Sequence, residues 1–120
     1  MKHDRLQQNC YKWFHNTYPS LRGLMWHNWN NPANARQGAY LKSIGLQAGV
    51  FDLLFYFNKT LYGFDIKVGR DKYSQGQKNW KQKVEEQGGY CMEIRSEEDF
   101  KSIIGKIVSG DSELTPDELK

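Results

Sequence analysis

The chain has 120 residues, 38% of them apolar and 17 of them aromatic, which predicts one domain whose core is built largely from rings. Its formal net charge is +3, but residues 1–83 sum to +9 and residues 84–120 to −6, a distribution that favours a polyanion-binding body. No apolar run is long enough to span a bilayer and no signal-peptide core is present, so we expect a cytoplasmic protein without membrane association.

Two cysteines, Cys10 and Cys91, are too few for a disulfide framework and lack metal-type spacing, so both are predicted to be buried thiols.

The first third of the chain predicts two helices separated by a short strand. An apolar stripe at helical spacing predicts a helix over residues 4–17, and Leu24–Trp29 has the composition of a short strand. A second helix is expected with Asn31 as its N-cap, Pro32 at its first position and Gly45 after its end.

The middle of the chain predicts a β-hairpin. Phe51–Phe57 is nearly all apolar, as in a strand covered on both faces, and Leu61–Val68 is its natural antiparallel partner across the turn at residues 58–60.

The last third predicts a helix, a strand and a helix. The first helix runs from about Gly76 to Gln87, Tyr90–Ile94 forms the strand, and Ser96 caps the final helix. The acidic segment 110–120 is expected to be a disordered tail, which leaves a single domain over residues 1–109. The element order predicts an α/β (α+β) fold with a mixed central sheet of about four strands flanked by helices.

Three charged residues of the hairpin are hard to explain by packing. Asp52 is the second residue of an apolar strand, and Asp65 and Lys67 are two apart on its partner, so they share one face of the sheet. Converging carboxylates can hold a divalent cation, and a nearby ammonium can stabilise charge on a phosphate. The alternative is structural, with an Asp65–Lys67 ion pair on a solvated face and Asp52 capping the start of its strand.

The flanking motifs resemble the virus-type replication-repair nuclease (VRR-NUC) family of the PD-(D/E)XK nucleases. Gly49-Val50-Phe51-Asp52 is similar to the Gly-Val-Pro-Asp that the family places before its first carboxylate. Asp65-Ile66-Lys67 is similar to its acid-x-Lys strand, and a basic glycine-containing loop and a Ser-x-x-Gln helix start follow, ending at Gln77. The resemblance covers residues 3–108 and implies a restriction-endonuclease-like core.

The resemblance also implies roles for individual residues. Asp52 and Asp65 would bind Mg²⁺ or Mn²⁺ together with the backbone carbonyl of Ile66. Lys67 would be the catalytic lysine, and Gln77 would support the site from its helix.

Two departures from the family pattern stand out. Phe51 replaces a proline, and the register of an opening-helix glutamate falls on His3, with Asp4 beside it. Three alternatives stay open: Asp4 is the further metal ligand, His3 is a poorer one, or the site is weakened.

Several polar and basic residues are candidates for positioning DNA through its phosphates. They are Asn30, Arg36, Lys42, Arg70, Lys72, Ser74 and Lys78. The resemblance implies a metal-dependent DNA nuclease, an endonuclease acting on branched or flapped DNA in phage-type replication, recombination or repair, with a homodimer as a possible assembly. Two alternatives stay open: a catalytically weakened DNA-binding module of the same fold, and a purely structural or interaction protein.

Overall fold

The computed structural model describes residues 2–28 and 33–110. Helix α1 spans Lys2–Thr17 and is followed by a 3-10 turn at Pro19–Leu21 and the short strand β1, Met25–His27. Helix α2 is Ala35–Ser43, and the strands of the hairpin are β2, Leu53–Phe57, and β3, Thr60–Ile66. Helix α3, Gln75–Glu86, leads to β4, Tyr90–Ile94, and α4 is Glu97–Ser109.

The described strands form one mixed sheet in the order β1-β2-β3-β4. β1 pairs with β2 and β2 with β3 in antiparallel fashion, whereas β3 and β4 are parallel. A parallel pair needs a crossover connection, and α3 supplies it. The predicted α+β class and four-stranded mixed sheet are therefore confirmed.

Helices cover the sheet unequally on its two faces. On one face α1 and α4 form the main core, where Phe14 packs edge-on against Phe55 and Phe100 against Phe64. On the other face Trp80 of α3 lies close to Gly63, where a β-carbon would be only 3.0 Å from the indole ring. Asp65 points to this second face because side chains alternate along a strand.

Several element boundaries differ from the sequence prediction. Strand β1 is Met25–His27 where Leu24–Trp29 was expected, and β3 is Thr60–Ile66 where Leu61–Val68 was expected. Helix α1 begins at Lys2, so His3 and Asp4 belong to its first turn. Strand β2 begins at Leu53 rather than at Phe51, and Tyr56 is half exposed, so the strand is not covered on both faces along its whole length. Helix α2 is capped by Asn34, whose side chain accepts the backbone N–H of Gln37; the proposed cap at Asn31 lies outside the described residues.

Other predictions for single elements agree with the structure. Both cysteines are buried free thiols, and burial raises the pKa of each to about 12. None of the helices in residues 2–28 and 33–110 is long and apolar enough to cross a membrane. The predicted acidic tail lies outside the described residues from position 111 onward.

Candidate active site at the end of the hairpin

The ion pair of Asp65 and Lys67 is buried at the end of β3. Their side chains are 1% and 9% exposed, and Lys67 Nζ lies 2.8 Å from Asp65 Oδ2. The other oxygen of this carboxylate, Oδ1, is buried and has no hydrogen-bond partner among the described residues. A buried carboxylate oxygen without a partner is costly, so it marks a position where a cation or water would be stabilised.

Asp52 lies beside this pair, immediately before β2. Its Oδ2 accepts the backbone N–H of Ile66 at 2.8 Å, so the carboxylate takes the place of a main-chain acceptor where the hairpin ladder ends. Burial raises the pKa of Asp65 to about 6; Lys67 opposes the rise, and the negative charge of Asp52 adds to it. The two carboxylates are therefore close enough to repel each other, a repulsion that a cation would relieve.

Gln77 connects the start of α3 to the ion pair. Its Nε2 donates to Asp65 Oδ2 at 3.0 Å and its Oε1 accepts from Lys67 Nζ at 3.1 Å. The same Oε1 accepts the backbone N–H of Ser74, while the Ser74 hydroxyl accepts the Gln77 N–H, which completes a capping box. One glutamine thus serves both as helix cap and as support of the site.

Helix α1 brings His3 to the Asp52 carboxylate. His3 Nε2 is 3.2 Å from Asp52 Oδ2, and His3 Nδ1 is 3.3 Å from the largely exposed carboxylate of Asp4. Burial alone would lower the pKa of His3, but the charges of Asp52 and Asp4 raise it above its ordinary value. Of the two candidate residues in the opening helix, the structure places His3 against Asp52 and leaves Asp4 outside it.

Phe51, which stands where the resemblance expects proline, is fully buried. Its ring stacks on Tyr73 with centroids 5.2 Å apart and also contacts Trp80. Through its ring, Phe51 therefore packs the segment that leads to Asp52 against the loop and helix that carry Ser74 and Gln77.

The candidate DNA-binding residues are spread over two helices and one loop, and all those described are exposed. Lys42 of α2 shares a cavity of about 370 Å³ with Ser74 and with Gln77, the residue that contacts the ion pair. Arg70 and Lys72 belong to the loop that follows Lys67. The other members are Arg36 on α2 and Lys78 on α3, whereas Asn30 lies outside the described residues.

Two site residues were not predicted for the roles they take in the structure. Arg95 donates to the backbone oxygens of Gly69 and Asp71 at 2.9 and 2.8 Å, and so holds the basic loop against β4. His27 Nδ1 lies 3.0 Å from the backbone oxygen of Asp52. Sequence offered no spacing signal for either contact, since both join segments more than twenty residues apart.

The side chains at this site supply only some of the oxygen ligands that a hard divalent cation needs. The described residues contain no cluster of three or more His, Cys, Asp or Glu side chains suited to a metal. The carboxylates of Asp52 and Asp65, including the unpartnered Oδ1 of Asp65, are nevertheless oxygen donors of the kind that a hard divalent cation takes.

Comparison with known proteins supports the fold. The structure is similar to a solved "VRR_NUC domain protein" with a TM-score of 0.75 and 17% sequence identity, over 91% of this chain and 89% of that one. No protein-family model matches the sequence, and no curated protein matches it. The chain therefore has the fold of a VRR-NUC domain, as the sequence motifs predicted.

Proposed function

We propose that this protein is a divalent-metal-dependent deoxyribonuclease that hydrolyses phosphodiester bonds. The observation that carries the proposal is the buried Asp65 carboxylate, with one oxygen held by Lys67 and Gln77 and the other unpartnered among the described residues, beside Asp52. The similarity of the fold to a VRR-NUC domain supports the same function.

Asp52, Asp65 and the Ile66 carbonyl would hold the cation, Mg²⁺ or Mn²⁺. The bound ion would polarise the scissile phosphate and lower the pKa of a water nucleophile. The Ile66 N–H fixes the Asp52 carboxylate, and Gln77 fixes that of Asp65, so both ligands are oriented before a cation arrives.

Lys67 supplies the positive charge of the site. An ammonium has three N–H donors, so it can keep its contacts with Asp65 and Gln77 and still donate to a phosphate oxygen. Because the lysine side chain is 9% exposed, this charge acts in a partly desolvated setting, where it stabilises a developing negative charge more strongly than in water.

The exposed basic residues would position the DNA backbone. Lys42 and Ser74 border the cavity next to Gln77, and Arg70 and Lys72 lie on the loop that Arg95 holds in place. We further propose endonuclease action on branched or flapped DNA in phage-type replication, recombination or repair, in the cytoplasm of a bacterial or phage-infected cell, with a homodimer as the working assembly.

A cleavage assay tests the proposed activity. Plasmid, flap and four-way-junction DNA are incubated with the protein and Mg²⁺ or Mn²⁺, and Asp52→Asn and Lys67→Ala should each lower the rate by about a hundredfold or more. Asp99→Asn on α4 and Lys59→Ala at the hairpin turn are matched controls and should cut normally. Full activity in both site variants, with folding verified by circular dichroism, would refute the assignment.

A second candidate is a DNA-binding module of this fold that cleaves poorly. His3 favours it, since an imidazole contacts Asp52 where the resemblance implies a glutamate. This function predicts DNA binding without cutting in the native chain, and a gain of cleavage in His3→Glu. Efficient cutting by the native chain would exclude it.

A further inference from the structure

A large cavity borders Asp52, and its lining includes neither Asp65 nor Lys67. It has a volume of about 760 Å³ and lies between the first half of α1 and the edge strand β1. Its lining includes His3, Gln7, Tyr11, Trp26, His27 and Asp52. This volume is within the range of pockets that enclose a ring-containing ligand.

The lining suits a flat and uncharged group better than a phosphate. Among the described residues no lysine or arginine borders the cavity, and its acidic residues, Asp4 and Asp52, would repel an anion. Trp26 is 41% exposed and borders the cavity, so part of its indole ring is accessible to a ligand there. The cavity therefore differs in charge from the exposed basic residues that are candidates for phosphate contacts, such as Lys42 and Arg70.

Polar groups in the cavity match the edge of a nucleobase. The amide of Gln7 lies 2.9 Å from His27 Nδ1, so a glutamine amide and an imidazole are held side by side. Both carry donors and acceptors of the kind that proteins use to contact base edges. Together with Trp26 they provide a stacking face and a polar edge.

Asp52 joins this cavity to the proposed metal site. Its carboxylate contacts Ile66 and His3, while its backbone oxygen contacts His27. A group in the cavity would therefore be a near neighbour of a phosphate bound at Asp52 and Asp65. Bases inside a duplex are stacked and paired, so only an unpaired base could enter such a cavity.

We propose that this cavity binds an unpaired nucleobase of the strand being cut, next to the scissile phosphate, and so selects DNA with a single-stranded segment. The inference rests on the proposed nuclease function, which supplies the phosphate position. Trp26 would stack on the base, and Gln7 and His27 would contact its edge.

Binding measured without cleavage tests the cavity independently of activity. With Ca²⁺ in place of Mg²⁺, fluorescence anisotropy compares a duplex carrying a single-stranded flap with the same duplex fully paired. Trp26→Ala and Gln7→Ala should weaken flap binding, by about tenfold for Trp26, and leave duplex binding unchanged. Tyr56→Ala is the matched control, because Tyr56 is an exposed aromatic on the neighbouring strand outside this cavity.

A fluorescent base analogue placed in the flap beside the junction gives a second readout. Its emission should fall on binding through stacking and recover in Trp26→Ala, whereas Trp26→Phe, which keeps a ring, should retain part of the quenching. Equal loss of flap and duplex binding, or no quenching by the native chain, would overturn the proposal. Flap-selective binding without cutting in Mg²⁺ would refute the nuclease function alone, and cutting without flap selectivity would refute the cavity alone.

Discussion

At the scale of single residues, the site depends on how the buried Asp65–Lys67 pair is satisfied. Removing one partner of a buried ion pair is strongly destabilising, because it leaves the other charge uncompensated. Gln77 extends the pair into a network by contacting both charged groups, and its backbone is fixed by the capping box with Ser74. The orientation of the lysine and the carboxylate is therefore set by α3, an element outside the hairpin.

Gln77→Ala should show this dependence directly. Asp65 and Lys67 each lose a hydrogen bond in a buried setting and the capping box loses one half, so the free energy of unfolding should fall by about 1–3 kcal/mol. Chemical denaturation measures this loss, and DNA cleavage should decrease with it. Gln75→Ala is the control, since that exposed side chain donates a hydrogen bond to Asn79 on the same helix and, within the described residues, none to the ion pair. Equal stability of the two variants would show that the network contributes nothing.

Local spacing predicted which of these residues lie together, whereas only the family resemblance, and not spacing, put His3 near Asp52. Asp65 and Lys67 are two apart on a strand, so their common face follows from the pleat, and Ser74 and Gln77 have the spacing of a capping box. The approach of His3 to Asp52 instead requires α1 to pack across the sheet. Such a contact between distant segments is set by the tertiary packing of whole elements, which local spacing does not encode.

At the scale of elements, a close approach of two backbone segments places Asp52 next to α3. Gly49 has φ +83°, and a β-carbon there would overlap the carbonyl group of Gly76 at the start of the helix. A bulky residue at Gly49 would push apart the segment that leads to Asp52 and the helix that carries Gln77. The glycine is thus required both by its backbone conformation and by its neighbour.

Gly49→Ala should therefore destabilise the protein by more than about 2 kcal/mol, since backbone strain and a clash with main chain act together. Gly88→Ala separates the two effects, because Gly88 has nearly the same positive φ (+89°) but a β-carbon there would meet none of the described residues within 4 Å. It should cost only about 1–2 kcal/mol of strain. Thermal unfolding of both variants makes the comparison, and a smaller loss at Gly49 than at Gly88 would contradict it.

The element boundaries show where local signals compete. Asn31 and Asn34 are equally good caps by residue type, so propensity alone could not place the start of α2 at Asn34. The apolar run at Phe51 predicted two more strand residues than are observed. In a continued strand, a backbone carbonyl of β2 would accept the N–H of Ile66. Here the Asp52 carboxylate accepts it instead, so the hydrogen bonds between the β2 and β3 backbones end beside the candidate site. The predicted strand is therefore too long at Asp52, the residue that we propose as a metal ligand.

At the scale of the whole molecule, positive and negative charge are separated along the chain. Residues 1–83 carry the excess of Lys and Arg, and the acids concentrate after them, with Glu97, Glu98 and Asp99 in the first turn of α4. The last ten residues contain four acids and one lysine. Because the long-range attraction between a protein and DNA depends on the net charge of the protein, this segment should weaken DNA binding by the rest of the chain.

Deletion of residues 111–120 raises the formal net charge from +3 to +6 and should tighten DNA binding roughly threefold to tenfold at low salt. The gain should shrink as salt is added, because exposed charges are screened beyond about 10 Å at 0.1 M ionic strength. Anisotropy titrations with one DNA at several salt concentrations measure both effects. A variant whose four tail acids are replaced by their amides should behave like the deletion, whereas a scrambled tail of the same composition should bind like the native chain. If the gain in affinity persisted at high salt, or if the scrambled tail also produced it, a specific contact of the native tail would explain the effect and its charge would not.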